Sequence, residues 1–252
     1  MNDITTVEPV DIEAELDLLA ARYRGASGIG LQLLNLLGSK AEGLLERLPE
    51  RVHAQLDRAT EQALRLAMHT ADRSRQRLPD QRPWVNTAVT TAFGAAGGFG
   101  GFPAALVELP VTTTVLLRAI QGVACEYGFD PGAEDVKFDC MRVFAAAGPL
   151  AMDDGADTGF LSLRLALTGG NIQRMIATVA PRLAAVLGQK LAAQSVPVLG
   201  ALAGATSNYV YTNYYQQVAH VHFGLRQLAI NSGVPHDELV ARLEMRMRPA
   251  LR

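Results

Sequence analysis

The sequence predicts an all-α protein: a helical bundle with a glycine- and alanine-rich core and a charged N-terminal helical arm. Three observations predict it. Apolar residues recur at helical spacing, and alternating runs of four to eight residues bounded by turns, the mark of strands, are missing. The chain is 49% hydrophobic but only 6% aromatic, so its apolar content is mostly Ala, Leu and Val, scattered rather than gathered into β-branched runs. The whole stretch from Pro83 to Val107 carries no Asp, Glu, Lys or Arg, yet its glycines and Pro103 make it a poor continuous helix.

Residues 1–82 form the arm. From about Asp11 to Leu78 the pattern is that of amphipathic helices, with Leu16, Leu19 and Tyr23 on one stripe. A second stripe holds Leu56, Leu64 and Met68, with Ala59, Ala63 and Ala67 beside it. Gly25, Gly28 and Gly30 are expected to break the first helix, and Pro49 stands where a later one would start. Arginines and glutamates concentrate here and at the C-terminus, so this part is expected to face solvent. Pro79 and Pro83 then mark a turn-rich hinge ending at Trp84.

Residues 83–252 form the glycine- and alanine-rich bundle. A long helix is expected from Pro103 to about Tyr127, closed by Gly128 and by Pro131-Gly132. Residues 133–147 predict the next, stopped by Gly148-Pro149. A loop over 152–159 precedes two helices, 160–167 and 171–193, on either side of Gly169-Gly170. The last long helix begins after Pro197 and runs to about Asn231, and Pro235 opens a short terminal one.

Composition excludes several classes. A net charge of −2 and an isoelectric point near 6.2 give no general attraction to nucleic acid. Cys125 and Cys140 are too few and too unpatterned for a disulfide framework or a zinc site, so no metal and no cofactor is expected. A polar, acidic start without a basic region and apolar core suggests a cytoplasmic protein. The charged fraction of 19% is below that of an ordinary domain, and a mean hydropathy of +0.11 is high for a cytosolic enzyme and low for a polytopic membrane protein.

Small residues four apart, Gly94 with Gly98, Gly97 with Gly101 and Gly200 with Gly204, predict flat grooves where helices approach closely. Ordinary tight packing in a bundle and an irregular glycine-rich segment are the competing readings. Glu108, Arg118, Glu126 and Lys190 lie among apolar residues. Because a lone buried charge costs several kcal/mol, structural pairing of Glu108 with Arg118 or Lys190 stands beside a head-group pocket as an explanation. Asn208 adjoins a tyrosine-rich run in which Tyr211, Tyr214 and Tyr215 are candidates for an aromatic interface or for packed core. His220 and His222 are two apart and point away from each other on a helix, a poor metal pair. Metalloprotease, nucleophile-elbow and Walker motifs do not occur, and Asp153, Asp154 and Asp157 lack the spacing of a calcium loop.

Several segments in order, Gly97-Gly98, Leu106-Val107-Glu108-Leu109-Pro110, Arg118 to Ala124 and Glu126 to Asp130, resemble the core signature of the EcsC family. Lys190, Val196 to Gly200, Asn208, Asn213, Ala219, Phe223 and Arg226 to Leu228 fit the same pattern, as do Leu44 to Val52 upstream, so the resemblance covers about residues 31–228. It implies a helical, membrane-associated protein and an ABC-exporter context, and it brings no reaction with it. Where family members often place Asp before Leu-Pro, Glu108 stands here, one methylene longer.

The expected function is therefore a non-enzymatic, membrane-associated accessory protein that binds lipid or a membrane-protein partner, peripheral on the cytoplasmic face. A helical protein–protein interaction module is the first alternative. A hydrolase of apolar substrates, with Glu108 as acid/base beside Lys190, is the second.

Overall fold

The computed structural model describes residues 10–38, 50–75, 87–93, 101–144, 172–194 and 200–247, and every regular element among them is a helix. In chain order these are α1 (Ile12–Gly38), α2 (Glu50–Arg75), α3 (87–93), α4 (Gly101–Glu126), α5 (Glu134–Val143), α6 (Ile172–Gln194), α7 (Gly200–Ser232) and α8 (His236–Met247). The expected helix at 160–167 and the loop at 152–159, with Asp153, Asp154 and Asp157, lie outside the described residues, as do Pro49, Gly94, Gly97 and Gly98.

The helix ends follow local chemistry. Asp11 caps α1, its Oδ1 accepting the backbone N–H of Glu13 and of Ala14, each at 3.1 Å. Glu13 and Glu15 then sit at the positive end of the helix dipole. At the end of α4, Gly128 adopts φ 78°; its N–H reaches the Cys125 carbonyl, and that of Phe129 reaches the Ala124 carbonyl. This is the paired closure that a left-handed residue after a helix permits. Gly233, at φ 69°, stops α7 in the same conformation, and α8 begins directly after Pro235.

The prolines inside the expected helices do not end them, and neither do the glycines of α1. Pro110 lies within α4 and Pro181 within α6 without ending either. The expected break of α1 at Gly25, Gly28 and Gly30 does not occur, because the helix runs on to Gly38. A helical glycine costs about 1 kcal/mol relative to alanine. Burial of Leu16, Leu19, Ala20, Tyr23 and Ala26 outweighs that, since one fully buried large apolar side chain contributes roughly 1.5–3 kcal/mol.

The 33-residue α7 is the axis of the bundle and packs on α1, α4, α5, α6 and α8. Helix α2 lies along α4 and α6, and α1 lies along α7 and α8. The N-terminal helices are thus charged on their outer faces and docked by their apolar stripes, with Leu16, Tyr23, Leu56 and Leu64 joining the same core cluster as Leu117, Leu183 and Val218. That core is rich in Ala and Leu. Its tightest described glycine is Gly224, where an added Cβ would stand 2.7 Å from Leu19 Cδ2 and 3.2 Å from the Tyr127 hydroxyl, so the absent side chain lets α7 approach α1. No helix among the described residues is long and apolar enough to cross a membrane.

Candidate functional site

Three polar groupings stand out from the apolar core. The first joins α5, α7 and α8. On α5 the residues Val136, Asp139, Cys140 and Val143 recur at helical spacing and are all buried, so the Asp139 carboxylate enters the core on an apolar stripe. Arg226 of α7 bridges two carboxylates: its Nη1 donates to Asp139 Oδ2 and its Nη2 to Asp135 Oδ2, the latter at 2.6 Å. Arg142 donates to Asp139 Oδ1 at 3.2 Å, and the Arg226 guanidinium lies 4.5 Å above the Phe129 ring. His222 Nε2 is 3.3 Å from Asp139 Oδ1. Its N–H does not point at that oxygen, and neither ring nitrogen makes a well-aligned hydrogen bond among the described residues. The contact is electrostatic. His236, the first residue of α8, feels the charges of His222, Asp139 and Arg142.

Burial pushes the Asp139 carboxyl upward, but the contact with His222 and the charges of His222, Arg226 and Arg142 outweigh it and hold the group at about 2. The hydrogen bond from Arg226 likewise lowers Asp135. His236 is lowered by burial and by the neighbouring His222. A carboxylate so firmly ionised donates no proton near neutrality, where efficient acid/base groups titrate. The chemistry here is that of a fastener.

The second grouping lies where α4 ends against α7. His220 Nε2 is 3.9 Å from Glu126 Oε2, and its ring meets Tyr127 edge-on at 5.8 Å between centroids. Burial and then the charge of Arg22 lower the imidazole to about 4. Glu126 is half-exposed and too well solvated to reverse that shift. The two histidines, two residues apart, serve opposite neighbours as expected.

In the third, α3 crosses α7 through neutral groups. Asn208 Nδ2 donates to the Thr90 carbonyl at 2.6 Å, and the Thr212 hydroxyl donates to the Asn208 carbonyl at 2.7 Å. The Thr90 hydroxyl likewise reaches the Thr87 carbonyl of its own helix at 3.0 Å, and the two hydroxyl oxygens lie 2.7 Å apart, so either can donate across the crossing. The outer face of this crossing is apolar: Val89, Phe93 and Tyr209 are 37%, 43% and 48% exposed.

Of the candidate polar residues, Asn208 and Glu126 therefore do not share a site. Asn208 and the His220 neighbour Glu126 are separated by twelve positions of α7, about 18 Å at the helical rise. Arg118 is half-buried on α4 and engaged by a polar or electrostatic contact. Glu108 and Lys190 fall within α4 and α6, but their side chains lie outside those described. Tyr211, Tyr214 and Tyr215 are buried, so they are core, and Tyr209 is the exposed member of the run. Apolar ring area outweighs their hydroxyls here: Tyr215 stacks edge-on against Phe144 and Tyr214, each at 5.3 Å. Gly204 is buried, and Gly101 and Gly200 are the first residues of α4 and α7.

Sequence reasoning passed over Asp139, Asp135, Arg142 and His236, and weighed His222 as half of a metal pair. The available signal was Asp139 itself, a carboxylate on the apolar stripe of α5 with an arginine three residues on. Among the described residues, no three His, Cys, Asp or Glu side chains are grouped to hold a metal ion.

In comparison with known proteins, the model of the EcsC protein family matches residues 31–228. Neither the curated proteins nor the solved structures contain a match.

Proposed function

The chain belongs to the EcsC protein family, and on that premise we propose that it is a non-enzymatic accessory protein held peripherally on the cytoplasmic face of a membrane. The observation that carries this reading is the exposed apolar face at the crossing of α3 and α7, formed by Val89, Phe93 and Tyr209. Single exposed apolar residues are ordinary. Val89 and Phe93 stand one turn apart on α3, and Thr90 between them is bonded to Thr212 and to Asn208, the residue before Tyr209.

Their surroundings favour lipid. Residues 83–107 contain no Asp, Glu, Lys or Arg, and neither does α7 from Gly200 to Leu225. Charge near the contact would have to be desolvated on approach to the acyl region, and here the flanking sequence brings none. A tyrosine with an apolar body and a wet tip suits the head-group level. The depth is interfacial, in keeping with the lack of a spanning helix among the described residues.

Vesicle flotation tests it. The protein is expected to rise with phospholipid vesicles, and the Val89→Asp/Phe93→Asp variant is expected to stay at the bottom with its helical circular dichroism unchanged. If the parent protein itself remains at the bottom with neutral and anionic vesicles alike, the reading is wrong.

A further inference from the structure

Helix α6 is the most basic of the described helices. It carries Arg174, Arg182 and Lys190 and no carboxylate, whereas α1, α2, α4, α5 and α8 each mix both signs. In a chain with a net charge of −2 this is a local excess of positive charge. Packing decides where it goes. Met175, Ile176, Val179, Ala180, Leu183, Ala184 and Leu187 are buried, while Arg174, Ala177, Thr178, Pro181 and Arg182 are exposed. The arginines therefore stand on the outer face, with small uncharged residues between them.

Several carboxylates on the helices packed against α6 are engaged elsewhere, though the exposed Asp57 of α2 and Glu134 of α5 are not. Glu61 of α2 is paired with Arg65 at 2.6 Å, and Asp135 and Asp139 of α5 are held by Arg226. Among the described residues neither Arg174 nor Arg182 makes an ion pair. Two exposed guanidiniums without an ion-pair partner among the described residues complement a surface of negative phosphate groups, which guanidinium recognises well.

We propose that the outer face of α6, through Arg174 and Arg182, contacts anionic phospholipid head groups. The inference rests on the peripheral membrane reading and adds the lipid class to it. Both α3 and α6 are seated on α7: the first supplies the apolar contact, the second the preference for negative charge. Each basic side chain close to an anionic surface strengthens partitioning roughly fivefold, so the pair is worth about 25-fold at low salt. At a Debye length of about 10 Å in 0.1 M salt the effect fades as ionic strength rises.

Flotation with phosphatidylcholine vesicles and with vesicles containing phosphatidylglycerol separates the two claims. The expected result is stronger partitioning onto the anionic vesicles, weakened by salt. In the Arg174→Gln/Arg182→Gln variant it falls about 25-fold, to the level on phosphatidylcholine, with circular dichroism unchanged. Equal binding to both vesicle types, or a variant that keeps the anionic preference, overturns the role of α6 and leaves the peripheral reading standing. No flotation with either vesicle removes both, and points the basic face at an acidic protein partner instead.

Discussion

Helix α7 is fastened differently at its two ends. Toward its C-terminus, Arg226 and His222 meet Asp135 and Asp139 of α5, with Arg142 paired to the same Asp139, and α8 is tied to α1 by Arg242 and Arg246 against Glu13 and Asp17. Nearer its N-terminus, Asn208 and Thr212 hold α3 through hydroxyl, amide and carbonyl groups without a charge among them. Ion pairs give the first region strong but mutually dependent contacts, since losing one partner strands the others. Neutral hydrogen bonds contribute less each, yet they leave an uncharged surface that can meet lipid without desolvating ions. The ionic end therefore serves cohesion, and the neutral end is where the proposed apolar contact would cost no desolvated charge.

The contrast breaks most visibly at Asp139. Replacing it with Asn should lower stability by about 3 kcal/mol or more, measured by urea denaturation, because Arg142 and Arg226 both lose a buried counter-charge. A loss below about 1 kcal/mol would mean that the network is peripheral to cohesion.

Acid should weaken the protein by a smaller amount through histidine. His220 titrates at about 4 in the folded chain and near 6.5 unfolded. Its contribution is thus fully present above pH 6.5 and disappears as pH falls from 6.5 toward 4, where the unfolded chain binds the extra proton. After allowance for solvent reaching the ring, the loss is on the order of 2 kcal/mol, and His236, lowered in the same direction, adds to it. Denaturation of a His220→Gln variant at pH 7 and at pH 4.5 checks this: the drop between the two should shrink. An unchanged drop would assign the acid sensitivity elsewhere.

At the neutral end the effects are smaller. Thr212→Val removes the bridge between Thr90 and Asn208 and should cost about 1 kcal/mol, with faster amide exchange in α3 than in α8. Phe93→Asp should change stability by no more than about 0.5 kcal/mol, as an exposed site does, while reducing vesicle binding. A large stability loss from Phe93→Asp would mean that this face is part of the fold and is not a contact surface.

Much of this molecule can be read locally. Helix periodicity placed the stripes of α1 and α2, whose named leucines are buried, and Gly128 marked the end of α4, where it takes positive φ. Prolines were read correctly: Pro235 precedes α8, and Pro110 and Pro181 sit inside the helices expected to run through them. Glycines misled in α1, where core burial outweighed propensity. The tyrosines were legible as a run, but not as inside or outside. Only neighbours such as Phe144 decided that Tyr215 is core and left Tyr209 exposed.

By itself the sequence determined the helical class, the charge-free stretches and the EcsC resemblance, because periodicity, turn chemistry and composition act over a few residues at a time. Tertiary structure alone decided which charges meet. Arg226 lies 87 positions from Asp139, and Arg242 and Arg246 each lie 229 positions from their α1 partners Glu13 and Asp17. Helix packing brings such residues together. Coulomb attraction and desolvation depend on distance and burial, neither of which is defined until the helices are in place.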